Sequence, residues 1–307
     1  MSHRKSKSAD LQFRTRANPL VSALAGDASW IMLNLPLAKI GEANGVHRMR
    51  TSVRRLRSDL KTFRDRLDPA ALENVQTELK WVFSALGQVR ELDVQRRWCL
   101  RSADSAADKK RLAPLFQELD RRRAAAMVEL SQTLESERFW RLAATLSRGL
   151  PIAKIDVDED GEGGLHPRRM VSLCAKLADS ARGVAADTPA ETFHEIRLVA
   201  KRARYAAEAI ARWTQRPRSA KRAERWAIKI RRIQDALGDH QDAVVAFNTV
   251  QDIVRSLGSV DPEFAAAKDR LLAALARARD RSTVKSLELL KRFRRKRAVR
   301  FSKKAAA

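Results

Sequence analysis

Two short stretches hold the residues best placed to do chemistry, and both are rows of cations headed by a histidine. His47, Arg50, Arg54 and Arg57 stand at i, i+3, i+7 and i+10, and His194, Arg197, Lys201 and Arg204 repeat that spacing. Residues at those intervals share one stripe of an α-helix, which sets a positive group about every 5 Å along the axis. Like charges so spaced weaken an isolated helix by a few tenths of a kcal/mol per pair, and a matching anion offsets that cost. Arginine is the side chain for this task, because its planar fork bonds two phosphate oxygens at once. Imidazole can donate to a phosphate oxygen, and a neighbouring polyanion favours its charged form. One such stripe is usually a solvated face. The same stripe twice, each with its histidine, favours binding of an extended anion.

Other chemistries fit these residues less well. A metal site would draw on His47, His194 and His240 with Glu91, Asp93 and Asp242. None has a partner at i+4 of the kind that makes a ligand pair on one helix, and the surrounding arginines repel a cation. No metal and no cofactor are expected. An enzyme acting on phosphates would need carboxylates around a divalent ion or an activated nucleophile. No Ser-His-Asp, Cys-His or Gly-rich phosphate loop occurs, so Glu91, Asp93 and Asp242 are read as structural braces for arginines. The expectation is a non-enzymatic binder, with a metal-dependent phosphate-processing enzyme as one alternative. Non-specific nucleic-acid binding is the other. Single-strand binders set aromatic platforms in a basic groove, yet no aromatic residue interrupts His47 to Arg57, and the single tyrosine, Tyr205, falls just past the second stripe.

The elements that position these stripes are helices. Glycine and proline number only 11 and 9 in 307 residues, and apolar residues recur at three and four. In Leu72, Val75, Leu79, Val82, Phe83 and Leu86 the intervals are 3, 4, 3, 1 and 3, a helical stripe, and no segment alternates with period two. The fold class is all-α. Asp68-Pro69 reads as a cap followed by proline at the first helical position. The strongest break is residues 155–167, acidic and with three glycines, read as a linker between two halves at about 19–154 and 168–290. Residues 1–18 read as a basic, unstructured N-terminus. From Lys291 to Lys304 there are nine Lys/Arg and no acid, so residues 291–307 read as a solvated basic tail.

The halves match each other. His47–Arg57 aligns without gaps on His194–Arg204, an offset of 147 residues (194 − 47), under the pattern H-x-[MI]-R-x-x-[AV]-[RK]-R-x-R. Leu86-Gly87 with Glu91 aligns on Leu237-Gly238 with Asp242, an offset of 151 (237 − 86). Two separated matches at nearly one offset indicate an internal duplication, hence two bundle-like halves packed together.

Charge sets the class of partner. With 62 Lys+Arg against 37 Asp+Glu the formal net charge is +25, a field that attracts anionic polymers. Cys99 and Cys174 are far apart in no metal-like spacing, which fits a reducing cytoplasm. The apolar run from Leu20 to Ile40 is broken by Asp27, Asn34 and Pro36, so neither signal peptide nor transmembrane segment is expected. The chain reads as soluble and intracellular.

The elements H-x-x-R-x-x-x-[RK]-R-x-R and L-G-x-x-R-[DE]-x-D-V, the latter at Leu86–Val94, together with the second-half block Leu237–Asp242, resemble the CHAD family, the conserved-histidine α-helical domain. The resemblance covers roughly residues 19–300, nearly the whole chain, with the domain itself placed at 19–290. It implies two pseudo-symmetric helical bundles with a basic groove or pore between them, inorganic polyphosphate as partner, and association with polyphosphate granules in the cytoplasm. By motif match the contacts would be His47, Arg50, Arg54, Arg57, His194, Arg197, Lys201 and Arg204, joined by Arg55, Lys61, Arg90, Arg202, Lys229, Arg232 and His240. Glu91 departs from the family's usual Asp, keeping the charge and changing the reach. The E-x-E-x-K motif of the triphosphate-tunnel domain often fused to this family is missing, so that activity is not implied.

Overall fold

The computed structural model describes residues 19–62, 64, 68–148, 167–214, 217–258 and 261–298. Among these, no strand occurs and ten helices carry the fold: α1 (Pro19–Lys39), α2 (Ala43–Thr62), α3 (Pro69–Ser102), α4 (Ala106–Arg111), α5 (Ala113–Glu135), α6 (Glu137–Arg148), α7 (Pro167–Ser180), α8 (Ala190–Trp213), α9 (Pro217–Leu257) and α10 (Pro262–Ala298). The all-α expectation holds. The expected N-terminal segment, residues 1–18, and residues 155–166 of the expected linker lie outside the described residues, while Pro167 opens α7.

Local chemistry sets the helix starts. Asp68 accepts a hydrogen bond from the Ala71 amide at 2.8 Å, with Pro69 following at the first helical position of α3. Asp261 caps α10 in the same way, accepting from the Phe264 amide at 2.8 Å ahead of Pro262. Each satisfies one of the amides left over at a helix N-terminus.

The turn before α2 fixes where the first stripe begins. Glu42 N–H donates to Leu37 carbonyl at 2.9 Å and Gly41 N–H to Ala38 carbonyl at 3.1 Å, the paired bonds of a Schellman end. Gly41 supplies the left-handed φ of 74° that this end requires. Glu42 then turns its carboxylate onto the Gly45 amide at 2.5 Å and starts α2. At Gly45 an added Cβ would lie 2.4 Å from Leu37 Cβ, so only glycine lets α2 pass this close to α1.

Three apolar cores hold the helices. The first gathers α1, α2, α3, α5 and α6. The second gathers α7, α8, α9 and α10. The third joins the C-terminal end of α3, Ala103 and Leu112 on either side of α4, and the start of α5 to the C-terminal part of α9 and the start of α10. The long helices α3 and α9 therefore each run from the core of their own half into a shared one. The expected boundary at residue 290 is corrected: α10 continues through Ala298, because Leu290 and Phe293 both bury in the second core. Residues 291–298 are helix, and residues 299–307 lie outside the described ones.

Candidate anion site

In both stripe helices each cation follows a core residue by one position. Val46, Met49, Val53, Leu56 and Leu60 are all fully buried, and the next residues are His47, Arg50, Arg54, Arg57 and Lys61. In α8, Phe193, Ile196, Ala200 and Ala203 are buried, ahead of His194, Arg197, Lys201 and Arg204. One residue is a turn of about 100° around the helix, so packing the apolar stripe leaves the cationic one on the flank of the core, half-buried. The two flanks meet at a pocket of about 560 Å³. It is lined by Arg54, Arg57, Ser58 and Lys61 from α2, by Phe83 and Leu173 from α3 and α7, and by Leu198, Lys201, Arg202, Tyr205 and Ala206 from α8.

Burial and mutual repulsion work against the charges there. The Lys201 amine is pushed down to about 8, first by burial and then by Arg54, Arg197, Arg50 and Arg204. Burial also pulls Arg50, Arg54, Arg57 and Arg90 below the usual arginine value, with neighbouring cations adding to it at Arg50, Arg54 and Arg90. Lys61 is lowered by burial and by Arg57, Arg202 and Lys80. His47 is exposed yet depressed, by desolvation, then Arg90, Arg54, Arg50 and Arg97. Arginine keeps its proton throughout, so the cost remains as unneutralised charge. The Nε atoms of Arg50, Arg54, Arg57 and Arg204 are buried without a hydrogen-bond partner, as is His194 Nδ1. Arginines elsewhere are paired with acids: Arg96 with Asp120 at 2.7 Å, Arg138 with Glu78 at 2.6 Å, Arg111 with Glu263 at 3.0 Å.

The three motif acids sit near arginines in different ways. Asp93 accepts from Arg123 Nε at 2.7 Å, and the same guanidinium donates to the Gly41 carbonyl at 2.7 Å. That ties α3 and α5 to the turn that launches α2 and its stripe. Asp242 lies near Arg197 and Arg90, one from each half; burial raises its carboxyl, and those arginines and a hydrogen bond from Trp98 pull it back. Glu91 is exposed, and its charge supports Arg50. The motif glycines touch the stripes directly. A Cβ at Gly87 would come 3.7 Å from Arg50 Nε, and one at Gly238 would come 3.8 Å from Arg197 Nε.

Several expected contacts lie elsewhere. His240 is buried against the Phe193 ring, with centroids 4.8 Å apart, and lines a separate pocket of about 350 Å³ with Arg279 and Asp280. Its imidazole is lowered by burial, then by Arg279. Arg55 is exposed beside buried Asp27 and Asp59. Lys229 lies over the Trp226 ring at 5.0 Å, and Arg232 is exposed on α9; neither lines the stripe pocket. Sequence reasoning missed Arg97, which extends the cation row on α3 beyond Arg90 by two turns, and missed the aromatic lining. Arg50 and Arg57 lie over Phe83 at 4.3 and 5.3 Å, and Arg204 and Arg54 over Tyr205 at 4.7 and 5.8 Å.

The arrangement is that of an all-α bundle in which α2 and α8 deliver cations to one pocket. The chain belongs to the CHAD domain family, whose model matches residues 22–251. The fold is similar to PptA from Streptomyces chartreusis (TM-score 0.68, 21% identity, covering 89% of this chain and 98% of that one). It is also similar to the CHAD domain of the plant Ricinus communis (TM-score 0.65, 24% identity, 88% and 90%). An uncharacterized protein of Mycobacterium tuberculosis is 27% identical over 245 residues, 75% of this chain; the match spans 44% of that longer protein. Among the described residues, no group of three or more His, Cys, Asp or Glu could hold a metal ion, and no helix is long and apolar enough to cross a membrane.

Proposed function

We propose that the protein binds inorganic polyphosphate without turning it over, along the cation row shared by α2, α8 and the start of the second half of α3, and that it associates with polyphosphate granules through this row. The observation that carries the reading is the cation-rich cluster around Lys201, in which five basic side chains face only Glu208 and Glu91 and repel one another until an anion enters. The ligand class follows from the donors. A row of guanidinium groups with few other donors suits a chain of phosphates, each offering oxygens to a planar fork. From His47 to Lys61 the row on α2 alone runs about 21 Å at ~1.5 Å per residue, so a long chain gains contacts that pyrophosphate cannot make. Non-catalytic binding is supported by the acids themselves, since Asp93 is engaged by Arg123 and Asp242 lies between two arginines.

The test is a titration with polyphosphates of several lengths at two salt concentrations, with duplex and single-stranded DNA as competitors. Affinity should rise with chain length and exceed that for DNA at physiological salt. Replacing Arg50, Arg54, Arg197 and Lys201 together with glutamine should abolish binding with helicity retained. DNA binding of equal strength, or release of phosphate in the presence of Mg²⁺ or Mn²⁺, would overturn the reading.

A further inference from the structure

Phe83 and Tyr205 give the pocket its aromatic lining, and both rings already carry guanidinium groups. Arg50 and Arg57 lie over Phe83, while Arg204 and Arg54 lie over Tyr205. Arg54 comes from α2 and Tyr205 from α8, so the second ring links the two halves across the pocket. A cation over a ring is attracted by the ring quadrupole, more strongly when water is excluded, and the Nε atoms of all four arginines are buried and unpartnered. The Tyr205 hydroxyl is also buried without a partner, which leaves the ring as the working part of that side chain.

We propose that Phe83 and Tyr205 are positioning and specificity residues: their rings hold four arginines in place for a phosphate chain and leave no aromatic face for a nucleobase. The inference rests on the polyphosphate reading and deepens it. Arginines held over a ring have lost rotamer freedom before the ligand arrives, so less ordering remains to oppose binding. Single-strand binders gain affinity by stacking bases on open aromatic platforms. Here a guanidinium already lies over each ring, and a base stacking on that side would have to displace it. The same two rings therefore strengthen binding to a base-free polyanion and withhold stacking from single-stranded nucleic acid.

The experiment compares the full chain with Phe83→Leu, Phe83→Tyr, Tyr205→Leu and Tyr205→Phe, measuring affinity for long-chain polyphosphate and for poly(dT) at one salt concentration. Each leucine variant should weaken polyphosphate binding about tenfold and poly(dT) binding by less than about threefold, so the preference between them falls. The ring-retaining variants should stay within roughly twofold of wild type. Circular dichroism checks the fold; if a leucine variant loses helicity, Phe83→Met or Tyr205→Met fills the space without a ring and takes its place. Ring-less variants that bind polyphosphate like wild type overturn the proposal. So do variants that lose polyphosphate and poly(dT) equally, and ring-retaining variants that fail to restore binding. A wild-type chain that does not bind polyphosphate defeats the underlying reading instead, and this inference with it.

Discussion

Raising the pH from 7 to 9 should weaken polyphosphate binding about tenfold, and nearly all of the loss should pass through Lys201. Its amine sits near 8 rather than at 10.5, because burial and four arginines disfavour the proton. A bound polyanion offsets the arginines' repulsion, adds its own attraction for the ammonium and so moves the amine back toward its ordinary value. The free protein is then about nine-tenths protonated at Lys201 at pH 7 and about one-tenth at pH 9, whereas the complex stays protonated at both. Each complex formed at pH 9 must take up roughly 0.9 proton, and the cost of supplying it is about 1.4 kcal/mol, the tenfold. Below the depressed value of 8 the amine is already charged and this contribution to binding is fully present; it is lost as pH rises through 8.

Isothermal titration in two buffers of different ionisation enthalpy measures the proton uptake directly, and the affinity follows from the same data. Lys61 lines the same pocket and is lowered in the same direction by burial and by Arg57, Arg202 and Lys80, so a control variant must isolate the share of Lys201. Burial and neighbouring arginines depress His47, chain-end phosphates titrate near ~6, and Cys99 is pushed up to about 12 by burial. Lys201→Arg is the control, since arginine keeps its proton at pH 9. That variant should bind at pH 9 about as it does at pH 7 and take up almost no proton. A wild-type affinity that is flat from pH 7 to 9 would refute the argument. An equal fall in Lys201→Arg would do the same, by moving the titration to another group.

Three more outcomes test the packing around the site. Gly87→Ala and Gly238→Ala should each stabilise the chain by up to ~1 kcal/mol in urea denaturation, with polyphosphate affinity changed by less than about threefold, because the new methyl makes only ordinary contact with a guanidinium. Asp59→Asn should raise the urea midpoint at pH 8 and leave it near wild type at pH 4. The Asp59 carboxyl is raised from 3.8 to about 6, chiefly by burial, so its stabilising proton is in place below pH ~4 and lost through 6, a cost on the order of 2–3 kcal/mol at pH 8. Arg212, its partner at 3.3 Å, is 42% exposed and can return to water. Deleting residues 299–307 should leave the melting temperature unchanged, whereas Phe293→Ala should cost about 3–5 kcal/mol, since that ring is buried edge-on against Trp226 with centroids 5.3 Å apart.

What the sequence disclosed and what it hid follow one physical rule. The stripes were legible because each cation stands one residue beyond a core position, as in Met49-Arg50 and Ile196-Arg197, and periodicity sees such offsets. The same rule explains His240. It falls on the core stripe of α9 with Ile230, Ile233 and Leu237 rather than beside it, and it packs on Phe193 accordingly. Its offset from the neighbouring apolar residues was available in the sequence, and the motif match obscured it. Basic composition hid Phe293 in the same manner, since a run of Lys and Arg says nothing about the one face that packs. Phe83 had no local signal, since it meets Arg50 and Arg57 on another helix and the spacing within α2 cannot name a ring on α3. Tyr205 was visible beside Arg204 on α8, but its approach to Arg54 of α2 was not. The third core was hidden for a related reason, since it joins residues of α3, α5, α9 and α10 that lie far apart in sequence.

Net charge was the least informative guide to the site, because it is spread over the whole chain. Many of the arginines lie on the periphery and are answered there: Glu118 serves both Arg121 and Arg122, and Asp108 serves both Arg270 and Arg111. In these pairs the arginines reach toward water while Asp108 and Glu118 are largely covered, and each acid offsets the charge of its partners. The stripe cations differ in being packed among one another, with Phe83 and Tyr205 beside them and only Glu208 and Glu91 as nearby acids. There the repulsion is poorly screened by water, and it adds to burial in lowering Lys201. A chain of phosphates brings one negative charge to each of several such cations and meets a single long ion pair, Arg204 with Glu208 at 3.8 Å, so most of that relief is available to binding. An anion landing on the paired periphery must first compete with a carboxylate. Selection between the two surfaces therefore rests on where the acids are placed, not on where the bases are.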